Sequence, residues 1–180
     1  MAVVALVALV AALPFILKTP QTVRQTIYPL KYEDTIREVS AEYDLEPTLV
    51  AAVVYTESRF RPDVESHRGA YGLMQLLPET AEFIQKKSGI EGDYRDPETN
   101  LRIGAWYLGY LDDRYLGNER LMLAAYNSGE GRVDSWVSQE GFDVGEDVPY
   151  KETRHYIENV LEAQQTYEEL YGRNLYRNSQ

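Results

Sequence analysis

Residues 49–55 are apolar on every side, and a carboxylate, Glu57, follows almost at once, with Ser58 after it. A glutamate at the carboxyl end of a core helix meets two effects that raise its pKa. Burial disfavours the charged form, and so does the negative end of the helix dipole. A glutamate kept protonated near neutral pH is a general acid, the state needed to protonate a leaving oxygen. The plainer alternative is that Glu57 reaches the surface as its helix ends and pairs with Arg59 or Arg61. Its company bears on the choice. A glycine-rich turn, SHRGAYGLMQLLPETA, begins at Ser66; Gly69 and Gly72 allow close backbone approach or positive φ, and Gln75 offers an amide. LAAYNSGEG sets Tyr126 and Asn127 at the end of a second apolar helix, again before glycines, so one cleft can receive both helix ends. YKETRHY puts Glu152, Arg154 and Tyr156 at the start of the last helix, where Glu152 can also be no more than a favourable charge at a helix N-terminus.

The elements that must hold these groups read as helices. In KYEDTIREVSAEYDL, Tyr32, Ile36, Val39 and Tyr43 recur at helical steps. Pro47 and Pro78 stand at favoured first helical positions. Asp96-Pro97 is a cap-and-start pair for a long helix with Leu101, Gly104, Ala105, Leu108, Leu111 and Tyr115 on one face, ended by Gly117. Asn118 can cap the next helix, residues 120–126, and a short helix carrying Trp136 follows. The last runs from about Glu152 to Tyr171. No stretch alternates long enough to insist on a sheet, and no internal repeat is present. The expectation is an all-α domain of about six to eight helices.

The chain has 180 residues, enough for one domain with a core, and no cysteine, so neither disulfides nor thiolate chemistry is available. A net charge of −11 argues against nucleic acid as a partner, since phosphate binding needs clustered Lys and Arg. The 15 tyrosines, against 4 phenylalanines, supply rings with a polar edge, suited either to sugar-lined grooves or to finishing a core. Residues 1–17 carry no charge, a run between the lengths of a signal h-region and a bilayer span. A membrane anchor, a secretory signal and a buried first helix compete for this segment, and the anchor is preferred because no small-x-small cleavage site precedes Lys18. Nothing basic precedes the run, while Lys18, Arg24 and Lys31 follow it, which taken literally would put the globule inside the cell. Residues 18–30, with Pro20 and Pro29, are expected to be a stalk, residues 31–172 the domain and residues 173–180 a tail.

Taken in order, Glu57-Ser58, the S-x-x-G-A-x-G-L-M-Q run from Ser66 to Gln75, Ala125-Tyr126-Asn127 and the E-T-R-x-Y run from Glu152 to Tyr156 resemble the catalytic domain of the soluble lytic transglycosylase (SLT) family. The pattern of Asn100, Leu101, Gly104, Tyr107 and Leu108 is similar too, and the likeness runs from about Tyr32 to Leu170. It implies an α-rich, lysozyme-like fold. The implied activity is on bacterial peptidoglycan: the β-1,4 bond between N-acetylmuramic acid and N-acetylglucosamine is cut, leaving a 1,6-anhydro ring on the muramyl sugar. By position Glu57 would be the acid and then the base. Ser66, Gly72, Met74, Gln75, Tyr126, Asn127, Glu152 and Tyr156 would fall on substrate-binding positions, Ser66 and Gln75 holding the N-acetyl group and hydroxyls, and Tyr126 steadying the ring or the acid. One departure is visible: Gln75-Leu76-Leu77-Pro78 stands where many relatives have Gln-Ile-Met-Pro, a similar-volume change at the cleft floor. The resemblance also implies glycan strands as partner, the outer face of the cytoplasmic membrane as location, a monomeric catalytic domain, and a possible link to cell-wall or secretion machinery.

An ordinary glycosidase needs two carboxylates. A transglycosylase can manage with one, because the substrate's own acetamido oxygen and hydroxyl replace the second acid and the water, and a hydroxyl already held in place outcompetes bulk water. Asp63 and Glu65 are read as solvated loop charges. A goose-type lysozyme-like hydrolase, needing an acid such as Asp63 in the cleft, and a catalytically silent glycan-binding module are the competing readings. His67 and His155 sit in no ligand-spaced cluster, so neither metal nor cofactor is expected.

Overall fold

The computed structural model describes residues 21–176. The proposed anchor or signal, residues 1–17, and the end of the proposed tail, residues 177–180, lie outside the described residues. Among the described residues are eight helices: α1 (Gln21–Ile27), α2 (Glu33–Glu42), α3 (Pro47–Ser58), α4 (Pro78–Ser88), α5 (Pro97–Arg114), α6 (Glu119–Ser128), α7 (Glu130–Val137) and α8 (Lys151–Leu175). No strand is formed among them; two isolated bridges, Glu65 with Tyr71 and Tyr71 with Leu76, pin the loop before α4. The all-α expectation holds over this span, and no described helix is long and apolar enough to cross a membrane.

Local chemistry explains the boundaries. Pro47, Pro78 and Pro97 each open a helix at the position where a missing N–H costs nothing. Asp96 caps α5 by accepting from the Thr99 N–H at 3.0 Å, and Asn118 caps α6 by accepting from the Leu121 N–H at 3.1 Å. Gly89 ends α4 in the left-handed conformation.

Helix α3 is the axle. Its residues 48–55 are all buried, as expected of a helix apolar on every side. Its most extensive packing is against α8, with α2 on another flank. Helix α5 lies against α2, α4 and α6, and α6 joins α7 and α8. The described part of the segment expected to be a stalk is α1 and the turn after it, and both lie on α8. Arg24 pairs with Glu169 at 2.7 Å, and the Tyr167 and Tyr171 hydroxyls donate to the Pro29 and Tyr28 carbonyls at 2.7 and 2.8 Å. Many of the tyrosines therefore finish the core: Tyr28, Tyr55, Phe60, Tyr167 and Tyr171 form one aromatic cluster, with the Tyr28 and Tyr55 rings 4.6 Å apart.

Candidate active site

Helix α3 ends one residue after Glu57. Arg59 and Phe60 both have positive φ, 54° and 57°, an uncommon pair of left-handed non-glycine residues that stops the helix abruptly. Phe60 holds this turn because its ring is fully buried, 6.1 Å from that of Tyr167. Ser58 faces the core and donates to the Val54 carbonyl, while Arg59 lies over the Tyr55 ring and Arg61 donates to the Ser58 carbonyl. Neither arginine pairs with Glu57, so the surface ion pair is not what this helix end forms. Glu57 instead opens onto a cleft of about 340 Å³.

The Glu57 carboxyl is packed by protein on nearly every side, although part of the side chain meets the cleft. Burial raises its pKa from 4.5 to about 7. The Tyr156 hydroxyl, buried beside it without a partner of ordinary hydrogen-bond geometry, favours the carboxylate and offsets part of that rise. Burial and the neighbouring Glu57 charge push the Tyr126 and Tyr156 hydroxyls well above their usual range, so both stay neutral.

The loop of residues 64–76 makes one lip. Ser66 Oγ accepts the Ala70 and Arg68 N–H groups at 3.0 and 3.3 Å, which rolls the turn and leaves its hydroxyl proton available to a ligand. Gln75, at φ 48°, donates its amide nitrogen to the Val64 and Gly72 carbonyls, so the group it can offer the cleft is its amide oxygen. Asn100 pins this lip from α5. It is fully buried, accepts from the Met74 N–H at 2.8 Å and donates to the Tyr71 and Tyr94 carbonyls. That contact accounts for Gly72: its φ is +84°, and a Cβ there would stand 2.6 Å from Asn100 Nδ2. Met74 is fully buried against Gly104 of α5.

The second helix end does arrive at the same place. Tyr126 lines the cleft, its ring 5.7 Å from that of Tyr107, and its hydroxyl donates to the Met74 carbonyl at 2.8 Å, tying α6 to the lip. Asn127 lines it as well and is oriented by the buried Thr153, which donates to Asn127 Oδ1 at 2.9 Å. The sequence-predicted residues Glu57, Ser66, Gln75, Tyr126, Asn127 and Glu152 thus share one cleft. Gly72 and Met74 do not line it; they stand behind the lip and give it shape, and Tyr156 is buried against the acid. Asp63 and Glu65 are exposed and outside the lining, and His67 and His155 are exposed. Sequence reasoning passed over Thr80, Tyr107, Arg68 and Arg132, which also line it. Tyr107 stood in a noted pattern, but no local signal marks the arginines.

The sequence matches the model of the family described as Transglycosylase SLT domain over residues 34–147. The chain belongs to this family. It is 34% identical over 155 residues to the soluble lytic murein transglycosylase of Escherichia coli K12, covering 81% of this chain and 24% of that protein. A 28% identity over 166 residues, 76% of this chain and 46% of the relative, links it to the membrane-bound lytic murein transglycosylase C of Actinobacillus pleuropneumoniae. Among solved structures, the 70 kDa soluble lytic transglycosylase of E. coli superposes with a TM-score of 0.78 at 34% identity, over 83% of this chain and 26% of that one. The lytic transglycosylase Slt of Pseudomonas aeruginosa, an inactive glutamate-to-glutamine mutant, gives 0.75 at 35%, over 81% and 25%. The chain therefore spans about a quarter of the length of the soluble relatives, and the SLT family's lysozyme-like fold is the one it adopts.

Proposed function

We propose that this SLT-family protein is a peptidoglycan lytic transglycosylase with Glu57 as its single general acid and base. The observation that carries the reading is the Glu57 carboxyl on the cleft floor, raised by burial to about 7. At neutral pH a large share of the molecules hold the proton that a departing glycosidic oxygen needs. Glu57 donates that proton to the oxygen linking N-acetylmuramic acid to N-acetylglucosamine as the bond to the muramyl C1 breaks. The carboxylate so formed takes the proton from the muramyl C6 hydroxyl as that oxygen bonds to C1. The ring closes, the acid is regenerated and no water is consumed. Proximity of the C6 hydroxyl supplies what a second carboxylate and a positioned water supply elsewhere.

The neighbours fit supporting tasks. Ser66 has a hydroxyl proton and Gln75 an amide oxygen to offer the sugar's acetamido group and hydroxyls. Tyr126 braces the lip beside the acid. The names of the relatives, and the inactivity of a glutamate-to-glutamine mutant among them, support the class of activity. The substrate requires a location outside the cytoplasm; residues 1–17 would hold the protein to the membrane's outer face or serve as its export signal.

One observation keeps a hydrolase in view: Glu152, exposed at the start of α8, is a second carboxylate on the cleft wall. The decisive test is a digest of purified peptidoglycan by the full chain in detergent, beside Glu57→Gln, read by mass spectrometry. Anhydro products, one water lighter than hydrolysis products and missing with Glu57→Gln, are the expected result. New reducing ends would make the protein a muramidase and Glu152 its second carboxylate. Binding without cleavage by either protein would leave a glycan-binding module.

A further inference from the structure

The molecule is strongly acidic at −11; several of its arginines are tied to that acidity, and Arg59, Arg61 and Arg154 are held by a ring or a backbone carbonyl. Arg24, Arg37, Arg102, Arg114 and Arg120 each form an ion pair with a glutamate or aspartate. Two exposed arginines in the cleft behave differently. Arg68 rises from the Ser66 turn, and its guanidinium meets no acid among the described residues. Arg132, from α7, donates to the Ser128 carbonyl at 2.9 Å and lies 5.6 Å from the Tyr150 ring centre, again with no acid partner. Neither pairs with Glu152 in the same cleft. Both line the same cleft as Glu57, and neither forms an ion pair with it.

We propose that Arg68 and Arg132 form a carboxylate-reading pair on the walls of the cleft and make the protein favour glycan strands that carry carboxylates over neutral ones. The inference rests on the reading of the cleft as a peptidoglycan site. A muramyl strand is anionic, through the carboxyl of its lactyl ether or through the peptide stems attached there. A protein of this charge repels such a polymer at long range, and cations confined to the cleft offset the repulsion where it matters. A guanidinium fork suits a carboxylate better than any other side chain does. Its donors are free for that task on Arg68 and largely free on Arg132. Glu152 on the same cleft repels a carboxylate, so the pair also sets which way the anionic substituent points.

The test uses the full chain in detergent and three strands: peptidoglycan bearing its stems, strands stripped of stems so that the lactyl carboxyl is free, and stripped strands with that carboxyl converted to an amide. Wild type, Arg68→Gln, Arg132→Gln, the double variant and the Arg→Lys pair are compared by kcat/KM at low and high salt. Wild type should favour anionic over amidated strands by roughly five- to tenfold at low salt, as expected for two exposed charge contacts. The double variant should lose that preference through KM, losing far more on anionic than on amidated strands, with the pH limb of the rate unmoved. Lysine should restore part of it. Loss confined to stem-bearing strands assigns the stem carboxylates; loss on stripped strands too assigns the lactyl group. Equal wild-type rates on all three, or a preference that survives the double change, would overturn the proposal. Binding of labelled strands to Glu57→Gln, with and without the arginine changes, reads the same preference by anisotropy should no strand be cleaved, so failure of the enzyme reading remains separate.

Discussion

Two hollows of the molecule differ in kind, and the larger of the two holds less reactive chemistry. The groove between α2, the start of α3 and the end of α8 encloses about 740 Å³, against about 340 Å³ for the cleft. Its wall is crowded with charge, yet most of those charges answer one another; Asp44, exposed at its edge, forms no ion pair among the described residues. Arg37 pairs with Glu33 and Asp34, Glu38 with Arg102 at 2.6 Å, and the Tyr176 hydroxyl donates to Glu46 at 2.6 Å. Only the Ser40 hydroxyl is buried there without a partner. In the cleft, among the described residues, the acid forms no ion pair, two arginines have no acid partner, and the Tyr126 and Tyr156 hydroxyls are held neutral by burial. Reactivity here follows from what is left unpaired, and volume is a poor guide to it.

The widest separation between the two hollows should appear in the rate. With Glu57 titrating near 7, kcat/KM should fall roughly tenfold per pH unit above about 7, as the required proton is lost. Tyr176→Phe in the groove should leave that limb where it is. A limb that shifts with the groove change, or none in wild type, would break the distinction.

A smaller effect concerns stability. The Glu57 pKa is raised on folding from 4.5 to about 7, so between these values the folded chain holds a proton that the unfolded chain has released. Stability contributed by the protonated form is therefore full at pH 4, declines through that window and is gone above about 7. Glu57→Gln cannot ionise. Relative to wild type it should gain on the order of 2–3 kcal/mol between pH 4 and pH 8 in denaturant melts. An equal offset at both pH values would mean an ordinary carboxyl. The least change is expected in the groove: Tyr176, nearly half exposed, should cost under about 1 kcal/mol as Tyr176→Phe, with cleavage within about twofold of wild type.

Much of this was legible in the sequence because the signals are local. Pro47, Pro78, the Asp96-Pro97 pair and Asn118 mark helix starts by their own chemistry, and each stands where the structure starts a helix. Glu57 stood out because a fully apolar run ends in an acid. Helix α1 was not legible. It has seven residues, too few to persist alone, and it is held by Arg24 against Glu169 and by the Tyr28 ring against Tyr55 and Tyr167. Those contacts lie far along the chain. Helix α8 likewise runs four residues past its expected end at Tyr171. In the site, a motif could announce Gly72 and Met74 but could not say that they stand behind the lip. Nor could it bring Tyr107, Arg68 and Arg132, from three separate elements, to one cleft.

Helix α8 carries Glu152 at one end and, in its second half, the Tyr167 and Tyr171 hydroxyls that grip the backbone at Pro29 and Tyr28. At about 1.5 Å per residue, those grips lie roughly 22–28 Å along the helix from Glu152. Mechanically, α8 is a beam with the cleft at one end and the mooring of α1 and the turn after it toward the other. A tug on the chain ahead of Gln21 is borne by two hydroxyl bonds and one ion pair before it can reach the cleft.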